Sequence, residues 1–93
     1  MIVRGKKKNE LTFVFNNPRN VKTVYLAGSF NHWAPRDKRM TRAKDGTFRA
    51  KMALSPGKYE YKFVADGIWM EDPEADKTET NEFGTTNSVV EVS

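Results

Sequence analysis

Apolar and polar residues alternate along most of this chain. Leu11, Phe13 and Phe15 alternate with Thr12, Val14 and Asn16, the period-two pattern of a half-buried strand. The run Val24-Tyr25-Leu26-Ala27 reads as a second strand, with Val24 and Leu26 on its core side. Phe48, Ala50, Met52 and Leu54 alternate with Arg49, Lys51 and Ala53; Tyr59, Tyr61 and Phe63 alternate with Glu60, Lys62 and Val64. Ile68 to Glu71 and Ser88 to Val92 complete the set, and Met40 fits a short strand inside the connection Ser29 to Lys44. Turn signals separate these runs: Asn16 to Asn20, Lys44-Asp45-Gly46, Ser55-Pro56-Gly57 and Asp66-Gly67. No segment keeps a helical period. The pattern predicts an all-β fold, an immunoglobulin-like antiparallel β-sandwich of about 6–8 short strands.

The Asp66-Gly67 turn fixes a register. A two-residue hairpin loop sets Ala65 opposite Ile68, Val64 opposite Trp69 and Phe63 opposite Met70. Opposed residues project to one side of a sheet. Tyr61, Phe63, Ala65, Ile68 and Met70 are therefore expected on the core face, with Lys62, Val64, Trp69 and Glu71 outside. The same alternation, with Val90 and Val92 inward, places Asn87 and Val89 on the outer side. Residues 1–9 carry Arg4, Lys6, Lys7 and Lys8 and read as a flexible basic lead-in to a domain at 10–93. The stretch Glu71 to Glu82 reads as a polar, acidic surface loop.

Composition narrows the function. At 93 residues there is one domain with a small core and little room for a deep cleft. There is no Cys, hence no disulfide frame and no thiolate metal site, which suits a cytoplasmic protein. No apolar run approaches the length of a membrane span, and the N-terminus lacks the apolar segment of a secretory signal. Asp66, Glu71, Asp72, Glu74 and Asp76 are close in sequence but fall in a turn and a polar loop, so solvated surface is their expected role rather than paired catalysis. The single His leaves few nucleophile or metal constellations. The chain is read as no enzyme, with no cofactor and no metal.

The candidate chemistry lies where strands release aromatic rings. Gly28-Ser29-Phe30-Asn31-His32-Trp33 delivers a ring and hydrogen-bonding groups into a loop, and the only other Trp, Trp69, faces outward beside Lys62. A large exposed aromatic surface marks a contact site. These residues, with Tyr59-Glu60-Tyr61-Lys62-Phe63-Val64-Ala65-Asp66-Gly67, Asp72-Pro73 and Phe83-Gly84-Thr85-Thr86-Asn87, resemble carbohydrate-binding module family 48 from about Leu11 to Val92. This family includes the glycogen-binding domain of the AMP-activated protein kinase β subunit and the N-terminal early-set domains of isoamylases, pullulanases and branching enzymes.

The resemblance implies an early-set sandwich that binds α-1,4-linked glucans such as glycogen, starch or maltooligosaccharides. It implies two stacking rings, Trp33 and Trp69, a sugar-contacting Lys62, polar contacts from Thr85 and Asn87, and a bulky apolar contact from Phe83. Two positions depart from the family pattern: Phe83 replaces an aliphatic residue, and His32 stands where a second Asn is common. The implied partners are an α-glucan and a glycogen-metabolising enzyme, with no nucleic acid and no membrane. The chemistry agrees, because an indole covers the C–H face of glucose while Lys, Thr and Asn serve its hydroxyl rim. Two alternatives stay open. One is a regulatory, protein-interacting sandwich attached to an enzyme or kinase complex; the other is a single-strand nucleic-acid binder, which would need aromatics spread along a basic groove.

Overall fold

The computed structural model describes residues 1–7, 9–17 and 20–93. Ten strands appear among them: β1 (Ile2–Arg4), β2 (Glu10–Phe15), β3 (Val24–Gly28), β4 (Lys38–Arg39), β5 (Thr41–Arg42), β6 (Phe48–Ala53), β7 (Gly57–Ala65), β8 (Ile68–Met70), β9 (Lys77–Thr80) and β10 (Thr86–Val92). One antiparallel sheet runs β1-β2-β6-β5. The other runs β4-β3-β7-β10-β9, and β8 also pairs with β7. The nine-residue β7 organises the second sheet. Along one edge it pairs with β3 through residues 61–65. Its other edge is shared, β10 taking residues 57–61 and β8 residues 63–65.

The inner faces close on an aromatic core. Leu11, Phe13 and Phe15 of β2 and Phe48 and Ala50 of β6 meet Val24 and Leu26 of β3, Tyr61 and Phe63 of β7, and Val90 and Val92 of β10. Phe13 meets Tyr61 edge-on at 5.0 Å between ring centres, and Phe15 meets Phe63 at 5.1 Å, the tilted geometry that aromatic quadrupoles favour. The hairpin register is as the Asp66-Gly67 turn requires, Ala65 to Ile68, Val64 to Trp69 and Phe63 to Met70. Asp66 and Gly67 both have positive φ, at 47° and 83°, as a turn with the mirror-image twist demands.

Four expectations need correction. Part of the expected lead-in is strand: Ile2, Val3 and Arg4 pair with Phe13, Thr12 and Leu11 because β2 otherwise has a bare edge. Lys8 of that lead-in, and Pro18 and Arg19 of the expected turn, lie outside the described residues. The acidic loop contains β9, which pairs with β10; its Lys-Thr-Glu-Thr residues are all exposed, so no alternation betrays it. Ile68 is 61% exposed rather than core. Ala65, its partner across the hairpin, is buried at 1%, so the core closes over β7 and stops short of Ile68 on the short outer strand β8. Asp72 is not solvated surface: it is 4% exposed and accepts hydrogen bonds from the Tyr61 hydroxyl at 2.6 Å and from the Met1 amino group. Its own N–H donates to the Ser88 hydroxyl at 2.9 Å. Burial, and secondly this bond to Asp72, pushes the Tyr61 phenol well above its ordinary range.

Candidate functional site

The loop after β3 is fixed residue by residue. Gly28 approaches so closely that a Cβ there would lie 2.5 Å from the Glu60 carbonyl oxygen and 2.7 Å from the Phe30 ring. The Ser29 hydroxyl accepts from the Glu60 N–H at 3.2 Å, tying the loop to β7. Phe30 turns inward, 5.7 Å from Phe13 and 6.3 Å from Tyr59 between ring centres. Asn31 clamps the loop to the strand it left: its Oδ1 accepts from Gly28 N–H at 3.0 Å, and its Nδ2 donates to the Leu26 carbonyl at 3.1 Å. His32 and Trp33 then both take left-handed backbone, at φ 56° and 60°, and Trp33 N–H returns to the Gly28 carbonyl at 2.8 Å. The indole is thereby turned back over the outer face of the second sheet.

On that face the strand registers form rows. Tyr25, Val64 and Trp69 are side by side across β3, β7 and β8. In the next row Ala27 opposes Lys62. Continuing the β7–β10 register by one residue brings Asn87 beside Lys62. Trp69 is 45% exposed and Lys62 and Trp33 are half-buried.

A second loop closes the far side. Asn81 holds the turn before β10: its Oδ1 accepts from the N–H groups of Phe83 at 2.9 Å and Thr85 at 3.1 Å, and its Nδ2 donates to the Thr85 hydroxyl at 2.7 Å. Gly84, at φ 81°, completes the turn. Phe83 is left at its tip, 81% exposed.

Trp33, Lys62, Trp69, Asn81, Glu82, Phe83 and Asn87 line one open depression of about 620 Å³. Five of the six residues singled out from sequence are thus brought together. Thr85 is not in the lining; its hydroxyl is engaged by Asn81. Asn87 is on the expected side but 7% exposed, and its Nδ2 donates to Glu60 Oε1 at 3.1 Å, which leaves the amide oxygen as its acceptor toward the depression. Asn81 and Glu82 were missed because neither sits on a strand whose register assigns it a face. Among the described residues no cluster of His, Asp or Glu is arranged to hold a metal ion. The carboxylate at the hairpin tip is committed to structure: Asp66 accepts from the N–H groups of Thr23 and Lys22, and these bonds hold it below its ordinary range.

A depression walled by two indoles and floored by a Lys and an amide suits a ligand with apolar faces and a hydroxyl rim. Residues 11–93 match the family described as the glycogen recognition site of AMP-activated protein kinase. The chain belongs to this carbohydrate-binding family. Its relatives include FLOURY ENDOSPERM 6, chloroplastic, of Oryza sativa subsp. japonica, 45% identical over 60 residues that cover 64% of this chain and 11% of that protein. Another is the 5'-AMP-activated protein kinase subunit beta-1 of Sus scrofa, 39% identical over 71 residues, 76% of this chain and 55% of that protein. A third is PTST homolog 2, chloroplastic, of Arabidopsis thaliana, 45% identical over 56 residues, 60% of this chain and 10% of that protein. The glycogen-recognition chain therefore spans a little over half of one relative and about a tenth of the other two. Its fold is also that of part of the maltogenic amylase from S. marinus, with a TM-score of 0.74 at 21% identity over 90% of this chain and 13% of that one.

Proposed function

We propose that this chain is a non-catalytic module that grips a short stretch of α-1,4-linked glucan between Trp33 and Trp69. The observation that carries the reading is that both indoles line one open depression, with Lys62 and Asn87 beneath them, in a chain of a glycogen-recognition family. A pyranose presents axial C–H bonds on one face. An indole covers that face and releases poorly held water, and two rings, Trp33 from a loop and Trp69 from β8, follow the curve of an α-1,4 chain. Lys62 donates to ring hydroxyls and Asn87 accepts from them. Phe83 supplies an apolar wall from its turn, and Thr85 acts from the rim by holding that turn.

Among the described residues that line the depression Glu82 is the one carboxylate, whereas glycoside hydrolysis usually uses a pair. That supports a binding role without catalysis. No helix among the described residues is long and apolar enough to cross a membrane. A cytoplasmic setting remains part of the proposal, supported by the lack of Cys; two of the plant relatives are chloroplastic by name. The pig relative is by name a kinase subunit, which favours a second reading in which the module also joins a glycogen-metabolising enzyme or kinase.

Gel electrophoresis with and without glycogen in the matrix tests the first reading. Retardation of the native chain, lost in Trp33→Ala and Trp69→Ala, is the expected result. Unaltered mobility in glycogen would leave the protein-interaction reading in its place.

A further inference from the structure

Trp69 has a second side. Away from Trp33 and Lys62, its ring also lines a separate depression of about 470 Å³, with Thr23, Tyr25, Pro35, Arg36, Val64 and Gly67. The registers explain its shape. Tyr25, Val64 and Trp69 stand in one row on adjacent strands, all on the outer face. Adjacent strands lie about 4.8 Å apart, so the two aromatic residues rise roughly 9.5 Å apart across Val64. Val64 is a buried apolar floor between them. Pro35 and Arg36, carried by the same loop that presents Trp33, close one end.

This slot has the dimensions and groups of a sugar subsite. Apolar contact needs about 3.5–4 Å on each side, so walls roughly 9.5 Å apart admit one pyranose ring and little more. The polar groups at its edge are a phenol and a guanidinium. Among the described residues neither the Tyr25 hydroxyl nor the Arg36 guanidinium takes part in a hydrogen bond or ion pair, whereas the Thr23 hydroxyl in the same lining is engaged by Asp66. Hydroxyl and guanidinium together offer donors and an acceptor to a sugar rim without requiring a charged ligand. An indole with a depression on each side is not used up by one glucose.

We propose that the slot between Tyr25 and Trp69 is a second stacking subsite, which takes a further glucose unit of the same chain where it passes over the edge of Trp69. The proposal rests on the glucan reading and extends it from one depression to two. It also makes binding depend on chain length, because a short oligosaccharide fills the Trp33–Trp69 depression and reaches no further.

Calorimetric titration of maltotriose and maltoheptaose into the native chain, Arg36→Ala, Tyr25→Ala and Trp33→Ala tests it. Arg36 is an exposed loop residue, so Arg36→Ala keeps the test open should Tyr25→Ala fail to fold. Arg36→Ala and folded Tyr25→Ala are expected to weaken maltoheptaose about three- to tenfold and to leave maltotriose within about twofold. Trp33→Ala should weaken both sugars. If both slot variants bind maltoheptaose like the native chain while Trp33→Ala does not, the slot is no subsite and the glucan reading survives. Equal weakening of both sugars by Arg36→Ala would also overturn the subsite, since the loop rather than the slot would be at fault. If the native chain binds neither sugar, both readings fall.

Discussion

Trp33 is placed by its neighbours rather than by its own strand. Phe30 anchors the loop in the core, Asn31 ties it to β3, and His32 and Trp33 accept a left-handed backbone that costs roughly 1–2 kcal/mol per non-glycine residue. His32→Gly should therefore hold or raise the melting temperature while weakening maltoheptaose, because the freed backbone no longer aims the ring; equal affinity in a fluorescence titration would refute this. Removing either indole should cost about 1–2 kcal/mol of binding, roughly five- to thirtyfold. Far-UV circular dichroism should stay unchanged, as neither ring belongs to the core. Tyr61 makes a prediction of another kind. Its phenol is raised by burial and by Asp72, so the folded chain keeps a proton that the unfolded chain releases near the ordinary value of 10.0. Stability is fully present below that pH and falls as pH rises above it. Tyr61→Phe should flatten the alkaline loss in urea melts while costing about 1–3 kcal/mol at neutral pH, because Asp72 loses a partner inside the protein.

The elements differ in how openly the sequence announces them. β2, β6 and β7 alternate over most of their length and are bounded by turn residues, so they are legible, and the Asp66-Gly67 turn carries even the register that sends Trp69 outward. β9 is not legible, because an exposed edge strand has no buried face to leave a pattern. Nor is the interior position of Asp72. Only the meeting of Tyr61, Ser88 and Asp72 in space turns a loop carboxylate into a buried acceptor. The site was half visible. Trp33, Lys62, Trp69 and Asn87 follow from a loop motif or a strand register and Phe83 and Thr85 from the family resemblance, whereas the roles of Asn81 in its turn and Glu60 on β7 depend on which partners meet them in space. Two changes probe the elements directly. Gly28→Ala drives a Cβ into the Glu60 carbonyl, so it should lower the melting temperature and weaken glucan binding together. At the hairpin tip, the lowered carboxyl of Asp66 contributes stability above the ordinary carboxylate value of 3.8, lost as pH falls through its depressed value. Asp66→Asn should be less stable than the native chain at pH 6, and the gap should narrow as pH falls below 3.8.

At the scale of the whole molecule, the two depressions that Trp69 lines share one side of the sandwich. Both depressions open on the outer face of the second sheet, and the outer face of the first carries Glu10, Arg49 and Lys51, with Lys51 paired to Glu10 at 3.3 Å. Lys51→Ala should leave glycogen retardation unchanged; a loss there would mean that the polymer contacts both sides. The recognition surface is also open rather than enclosed, and among the described residues none covers it. At an affinity of about 0.1 mM, an ordinary association rate near 10⁶ M⁻¹s⁻¹ would let a bound chain stay roughly 10 ms. Such a dwell time makes the module a walker rather than an anchor. Whatever is attached to it would sample many chain ends on a glycogen particle in a second, and only several copies acting together would hold it in one place.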